Sequence, residues 1–330
     1  MTTEILQQEL PPINDDLLKN STNTINKLLE NIKNVIVDKE DVIKLVVCSW
    51  LSGGHVFLED VPGTGKTMLA RSLAKSVNTK FKRTQFTPDM LPSDITGTNI
   101  FNRKTQEFEF MAGPLFTIVF LADEINRATP RTQSALLEAM AEKQITVDGN
   151  TYELDDLFFV IATANPVEQA GTFPLPEAQL DRFMVKLSLG YPSDSLEKKI
   201  FRSQNISHPI KNLECVIEPE EIIEIKKAIP YIQVHDPILD YAYAIIKRTR
   251  NHPDILLGAS PRATISFVKM SQSLALAEGS KFVTPDHIQK LVVPVLSHRI
   301  VLTPEARYSQ KNSTKILSDI VSSVDVPIGL

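Results

Sequence analysis

The chain has 330 residues, with 35 lysines and arginines against 40 aspartates and glutamates, for a formal net charge of −5. Apolar residues make up 42% and charged ones 23%, the balance of a soluble globular protein with room for two domains. No block of like charge is long enough for a nucleic-acid or membrane patch, and no apolar run approaches the ~20 residues of a spanning helix. Cys48 and Cys215 lie far apart, in apolar stretches, and no metal-ligand spacing links the histidines and cysteines. The N-terminal residues Met-Thr-Thr-Glu-Ile-Leu-Gln-Gln-Glu lack a basic segment followed by an apolar one, so a reduced, cytoplasmic protein is expected.

Residues 1–20 are polar, contain Pro11-Pro12, and are expected to fray. From Ser21 to Leu51 the apolar residues Ile25, Leu28, Leu29, Ile32, Val42, Leu45 and Val46 recur at helical spacing, and Gly53-Gly54 ends the stretch. Short apolar strands then alternate with helices. Strands are predicted at Val56–Glu59, Phe81–Thr87, Thr117–Ala122, Leu157–Thr163 and Phe183–Leu189, and helices at Lys66–Val77 and Pro130–Ala141. Continuous apolar strands separated by helices indicate an α/β fold with a parallel sheet covered on both faces. Two stretches depart from this rhythm. Thr98–Met111 alternates around Asn102-Arg103-Lys104-Thr105, and Ile145–Leu154 around Asp148-Gly149-Asn150, so both read as inserted β-hairpins. The first carries Phe101, Phe108 and Phe110, either as an ordinary surface hairpin or as aromatics that grip a partner. After Tyr191-Pro192 only helices are predicted: Asp194–Asn205, Pro219–Ile229, Pro237–Asn251, Pro261–Ala277 and Pro285–Ile300. The expected division is a nucleotide-binding core over 21–191 and a helical domain over 192–330.

The chemistry starts at Asp60-Val61-Pro62-Gly63-Thr64-Gly65-Lys66-Thr67, between an apolar strand and a helix opening Met68-Leu69-Ala70. A glycine loop of this kind turns backbone N–H groups onto phosphate oxygens. Lys66 reaches the terminal phosphates and the Thr67 hydroxyl can ligate Mg²⁺. Asp60 stands where the usual motif has glycine, and a plain Pro-Gly turn before a helix is the blander account. The strand Thr117–Ala122 runs into Asp123-Glu124. Two carboxylates at the end of a buried strand are costly without a cation nearby. Asp123 is placed to hold Mg²⁺ with Thr67, and Glu124 to deprotonate an attacking water. A helix cap would account for one acid but not both. Asn165, at the carboxyl edge of the same sheet, can bond a γ-phosphate and the water, although Asn-Pro is also a turn signal. Arg182 is either a surface residue paired with Asp181 or a cation reaching a neighbouring subunit's phosphate. Arg262 stands unfavourably in the first turn of a helix, which points to a bound anion or carboxylate. Arg127 and Arg131 are further candidates for contacts between subunits.

Taken together, Pro-Gly-Thr-Gly-Lys-Thr, Ala-Asp-Glu-Ile-Asn-Arg-Ala, Ala-Thr-Ala-Asn-Pro, Leu-Pro-Glu-Ala-Gln-Leu-Asp-Arg-Phe and Gly-Ala-Ser-Pro-Arg-Ala resemble the MoxR family of AAA+ ATPases, over nearly the whole chain from about Ile36. The resemblance implies a P-loop three-layer αβα core with a C-terminal helical lid, ATP and Mg²⁺ as cofactors, and hydrolysis of ATP to ADP and phosphate. It implies that Asn165 is a first sensor, Arg182 an arginine finger and Arg262 a second sensor on the lid. It identifies Thr98–Met111 with the helix-2 insert and Ile145–Leu154 with the hairpin before the first sensor. It also implies a homo-oligomeric ring, a hexamer in most relatives, that remodels client proteins, often with von Willebrand A domain partners. The sequence departs from the family at Asp38-Lys39, where a Gly-Gln is usual near the adenine site. Two other readings stay open: a nucleic-acid motor, which the acidic balance disfavours, and a nucleotide-switched binding module, which the Asp123-Glu124 pair disfavours.

Overall fold

The structure, a computed structural model, describes residues 10–167, 171–191 and 209–327. Helix α1, Asp15–Lys33, starts at Asn14, whose Oδ1 accepts the Leu17 N–H at 2.7 Å. Asp15 and Asp16 in its first turn and Lys33 in its last complement the helix dipole. Residues 10–20 therefore correct the expectation of a frayed end. Ile13 is 3% exposed and its N–H donates to the Tyr231 carbonyl at 3.1 Å. The polar composition hid a cap and the first buried positions of a helix. The helical stretch expected over Ser21–Leu51 is two helices, α1 and α2 (Glu40–Leu51). The chain reverses between them, with Asp38 in the left-handed region at φ 65°.

The central sheet has β1 (Val56–Glu59), β2 (Phe81–Gln85), β5 (Val119–Asp123), β8 (Phe159–Ala164) and β9 (Val185–Leu187), in the order β2-β5-β8-β1-β9 with every pair parallel. Period-two alternation splits the strands between two apolar layers. Val56, Leu58, Val119, Leu121, Phe159 and Ile161 join one cluster with α1, α2 and α3 (Lys66–Ser76). Phe57, Phe120, Ala122, Val160 and Ala162 join the other, with α5 (Pro130–Glu142). Both faces of the sheet are covered, as the continuous apolar strands require. α4 (Pro92–Thr96) leads into the first hairpin, β3 (Gly97–Asn102) with β4 (Glu107–Ala112). The second pairs β6 (Gln144–Val147) with β7 (Asn150–Glu153). The hairpins touch: the Phe110 ring stacks on Tyr152 with centroids 4.0 Å apart, and Asn99 Nδ2 donates to Asp148 Oδ2 at 2.7 Å. Phe101 and Phe108 pack edge to face but stay 49% and 73% exposed.

The short helix α6 (Glu177–Leu180) precedes β9. Beyond β9, the helix expected at Asp194–Asn205 lies outside the described residues. The rest of the lid holds α7 (Pro219–Ala228), α8 (Asp236–Arg250), α9 (Pro261–Ala277), α10 (Pro285–Leu296), α11 (Pro304–Tyr308) and α12 (Ser313–Ser322). It also holds a two-stranded ribbon, β10 (Ile255–Leu257) with β11 (Val301–Leu302), too short to announce itself in sequence. α10 stops at Leu296 rather than Ile300, two residues after an internal Pro294. Phe267, Leu274 and Leu291 of the lid belong to the same cluster as Trp50 and Phe159, so the lid and one sheet face share one core. Among the described residues no helix is long and apolar enough to cross a membrane.

Candidate nucleotide-binding site

The loop after β1 turns at Gly63 (φ 85°) and Gly65 (φ 93°), backbone angles that side-chain-bearing residues rarely adopt. No side chain caps α3, which leaves its first N–H groups pointing from the loop. Across this loop a cleft of about 340 Å³ is lined by Gly63, Gly65, Lys66, Thr67, Met68, Asp123, Glu124 and Asn165, with Pro62, Arg83 and Gln85. Residues from four sequence segments thus meet at the carboxyl ends of β1, β2, β5 and β8, the edge where open α/β sheets bind ligands.

Lys66 Nζ donates to the carbonyls of Asp60 at 2.8 Å and Val61 at 3.0 Å. Burial pushes its pKa down, against the pull of Asp60, Asp123 and Glu124. Two adjacent acids share the cleft because Glu124 takes a left-handed conformation, φ 57° and ψ 50°. On an extended strand they would point to opposite faces. Thr163 holds the turn: its Oγ1 donates to Asp123 Oδ1 at 2.6 Å and accepts the Glu124 N–H at 2.9 Å. Asp123 Oδ2 accepts from Arg83 Nε at 3.0 Å and Nη2 at 2.7 Å. Glu124 Oε2 accepts from Gln85 Nε2 at 2.6 Å and lies 2.8 Å from Arg127 Nε. Asn165 is 6% exposed, and its Oδ1 accepts the Val167 N–H at 3.1 Å.

Other candidates stand elsewhere. The Asp60 carboxylate does not line the cleft. It is buried against the chain leaving β9, accepting from Ser188 Oγ at 2.9 Å, Gly190 N–H at 3.0 Å and the Leu189 N–H. Its place in the loop therefore ties the loop to the chain after β9 rather than lining the cleft. Val61 and Thr64 face each other within the loop, Thr64 Oγ1 to Val61 O at 3.3 Å. Arg182 Nη1 donates to the Leu137 carbonyl on α5 at 2.6 Å, and neither it nor the exposed Arg262 lines the cleft. Arg127, an alternative intersubunit residue by sequence, is engaged with Glu124 of its own chain, while Arg131 is exposed at the start of α5. At the departure Asp38-Lys39, Lys39 Nζ donates to the Tyr191 carbonyl at 2.9 Å. Sequence reading missed Arg83 and Gln85. Their signal was a polar i, i+2 pair in a predicted strand, but only the register Gln85↔Asp123 shows what they face.

Thr67 and Asp123 offer hard oxygen donors on one cleft, the set Mg²⁺ uses when it keeps waters and binds one carboxylate plus phosphates. Among the described residues no group of three or more His, Cys, Asp or Glu side chains could hold a metal by itself. The residues thus fit an ion that arrives with phosphate oxygens.

A model of the AAA ATPase family associated with various cellular activities matches residues 55–185, and one of the AAA lid domain matches 247–320. The uncharacterized protein YeaC of Bacillus subtilis is 50% identical, covering 92% of this chain and 95% of that protein. Chaperone MoxR1 of Mycobacterium tuberculosis is 34% identical over 97% of this chain and 86% of its own length. The crystal structure of a putative ATPase from Cytophaga hutchinsonii superposes with a TM-score of 0.88 at 35% identity, covering 94% of this chain and 97% of that one. With a relative named Chaperone MoxR1 that is 34% identical over 97% of this chain, and with family models matching the nucleotide core and the lid, the chain belongs to the MoxR family of AAA+ ATPases.

Proposed function

We propose that this protein is a Mg²⁺-dependent ATPase that assembles into a ring and uses hydrolysis to remodel partner proteins. The observation that carries the reading is the gathering of Lys66, Thr67, Asp123, Glu124 and Asn165 around one cleft. In this reading the N–H groups from Gly63 to Met68 bind the phosphates, and Lys66 leaves its loop carbonyls for the terminal ones. Thr67 and Asp123 would hold Mg²⁺, which would supply positive charge toward the terminal phosphates. Glu124 takes a proton from the attacking water, and Asn165 orients that water. Glu124 can do so only once its carboxylate exchanges Gln85 or Arg127 for the water.

Among the described residues, the arginines beside the cleft are engaged with its own acids, Arg83 with Asp123 and Arg127 with Glu124. A second copy in a ring, hexameric in our reading, supplies Arg182, and the lid supplies Arg262. The relative named Chaperone MoxR1 supports protein remodelling as the use of this hydrolysis. Proteins with von Willebrand A domains are the partner class to test first. The formal charge of −5 argues against a nucleic-acid motor.

The deciding experiment is Glu124→Gln. ATP binding should persist and turnover should fall about 1000-fold, the middle of what positioned proton transfer contributes. Undiminished turnover would remove Glu124 from its role, and loss of binding would make it a binding residue rather than the proton acceptor. Stimulation of wild-type turnover by DNA, fading as salt rises, would instead favour the motor.

A further inference from the structure

Asp181 lies between the two arginines that the cleft lacks. It directly precedes Arg182, and its carboxylate reaches the helix that carries Arg262. Asp181 Oδ2 accepts from Ser260 Oγ at 3.0 Å, and the same Ser260 caps α9 by accepting the Ala263 N–H at 3.1 Å. Asp181 Oδ1 forms an ion pair with Arg299 Nε at 2.8 Å. Arg299, just beyond α10, is 5% exposed and faces both domains. Its Nη1 donates to Val295 O of α10 at 2.8 Å and to Met184 O at 3.3 Å. Its Nη2 donates to Phe183 O at 2.7 Å and Asp181 O at 3.3 Å. His298, kept neutral by burial and by Arg299, has its Nε2 3.1 Å from the same Phe183 carbonyl. Burial and the nearby Arg262 charge pull the Arg299 pKa down to about 10 against the opposing effect of Asp181, so Arg262 and Arg299 feel one another.

A buried charge cannot leave its partner cheaply. The main chain at 181–184 is therefore fastened to the lid through three lid residues: Ser260, His298 and Arg299. On the core side, Arg182 Nη1 donates to the Leu137 carbonyl, the Met184 N–H donates to the His55 carbonyl at 2.8 Å, and Phe183 is buried among core residues. Resting on the roles proposed above for Arg182 and Arg262, we infer that the contacts of Asp181 with Ser260 and Arg299 act together as a positioning device that couples residues 181–184 to the lid. What the lid senses at its own nucleotide then sets where Arg182 stands for the adjoining subunit.

The test is backbone amide exchange over residues 179–185 of the full-length protein, with and without Mg²⁺ and the non-hydrolysable ATP analogue AMP-PNP. In wild type the analogue should change exchange across Arg182–Met184 by about fivefold, the lower end of coupling between sites. In Asp181→Asn and Arg299→Lys the change should vanish while AMP-PNP affinity is kept. Where those variants fold poorly, Ser260→Gly decides, because glycine keeps most of the cap while removing the hydroxyl that reaches Asp181. Persistence of the change in these variants, or its absence in wild type that binds the analogue, would overturn the coupling alone. Failure to bind AMP-PNP would overturn the nucleotide site and the coupling with it. Full turnover in Arg182→Ala would remove the finger, yet the exchange readout does not use that side chain and still judges the coupling.

Discussion

Lowering the pH should destabilise the core through one histidine. His55 enters β1 and is 4% exposed. Its Nδ1 accepts the Val160 N–H at 3.0 Å and its Nε2 donates to the Met140 carbonyl at 3.1 Å. Both ring nitrogens are used by the neutral form, and a proton on Nδ1 would oppose the Val160 N–H. Burial, together with Lys143 and Lys226, brings its pKa down from 6.5 to about 4, against the Met140 bond. The folded value lies below the unfolded one, so between them the unfolded chain binds the proton first. The contribution is present in full above pH 6.5 and is lost as the pH falls toward 4. A gap of about 2.5 pKa units corresponds to about 3 kcal/mol by pH 4, and about 2 kcal/mol of it is gone by pH 5. Urea unfolding of wild type and of His55→Gln, followed from pH 7 to 4, isolates this histidine, since glutamine does not titrate. The wild-type advantage should shrink by those amounts. A constant difference between the two proteins across this range would refute the neutral, doubly bonded histidine.

Three further outcomes follow from the site. Gln85→Ala removes one of two ties on Glu124, and a hydrogen bond to a charged group is worth about 1.5–3 kcal/mol. Basal ATP turnover should rise about tenfold where the tie restrains Glu124; a phosphate-release assay showing a fall would mean that Gln85 aids catalysis instead. Asp60→Gly restores the usual loop residue but strands the Ser188 hydroxyl and two N–H groups. Thermal unfolding should register a loss of about 2 kcal/mol, and an unchanged midpoint would show that this clamp is idle. Arg182→Ala should keep nucleotide affinity and lose about 1000-fold in turnover in the assembled protein, a range known for arginine fingers. Wild-type turnover would leave exposed Arg131 as the next candidate.

The strand-and-helix alternation, the two hairpins and most helices were legible in sequence because burial leaves a period. Val119–Asp123 is buried at every position, and β8 likewise, so both read as central parallel strands. The loop glycines and the Asp123-Glu124 pair were legible because their chemistry is local. The start of the first helix, Asp15–Asn20, was missed because Asn14 and Ile13 act within a segment whose average is polar. The ribbon of β10 and β11 was missed because two or three residues carry no period.

Sequence by itself supplied the residues on which the proposed chemistry rests: the glycine loop with Lys66 and Thr67, the Asp123-Glu124 pair, Asn165, Arg182 and Arg262. Those assignments rest on residue type and spacing along one strand or turn. Tertiary structure alone decided which groups meet. Arg83 and Gln85 face the acids only because β2 pairs with β5 in one register. The Asp60 carboxylate turns out of the cleft because Ser188, Leu189 and Gly190, 128–130 residues away, offer three donors. Asp181 binds a serine and an arginine of the lid at separations of 79 and 118 residues. Such long-range pairings leave no periodic trace, since their geometry is set by packing of the sheet against the lid rather than by any local pattern.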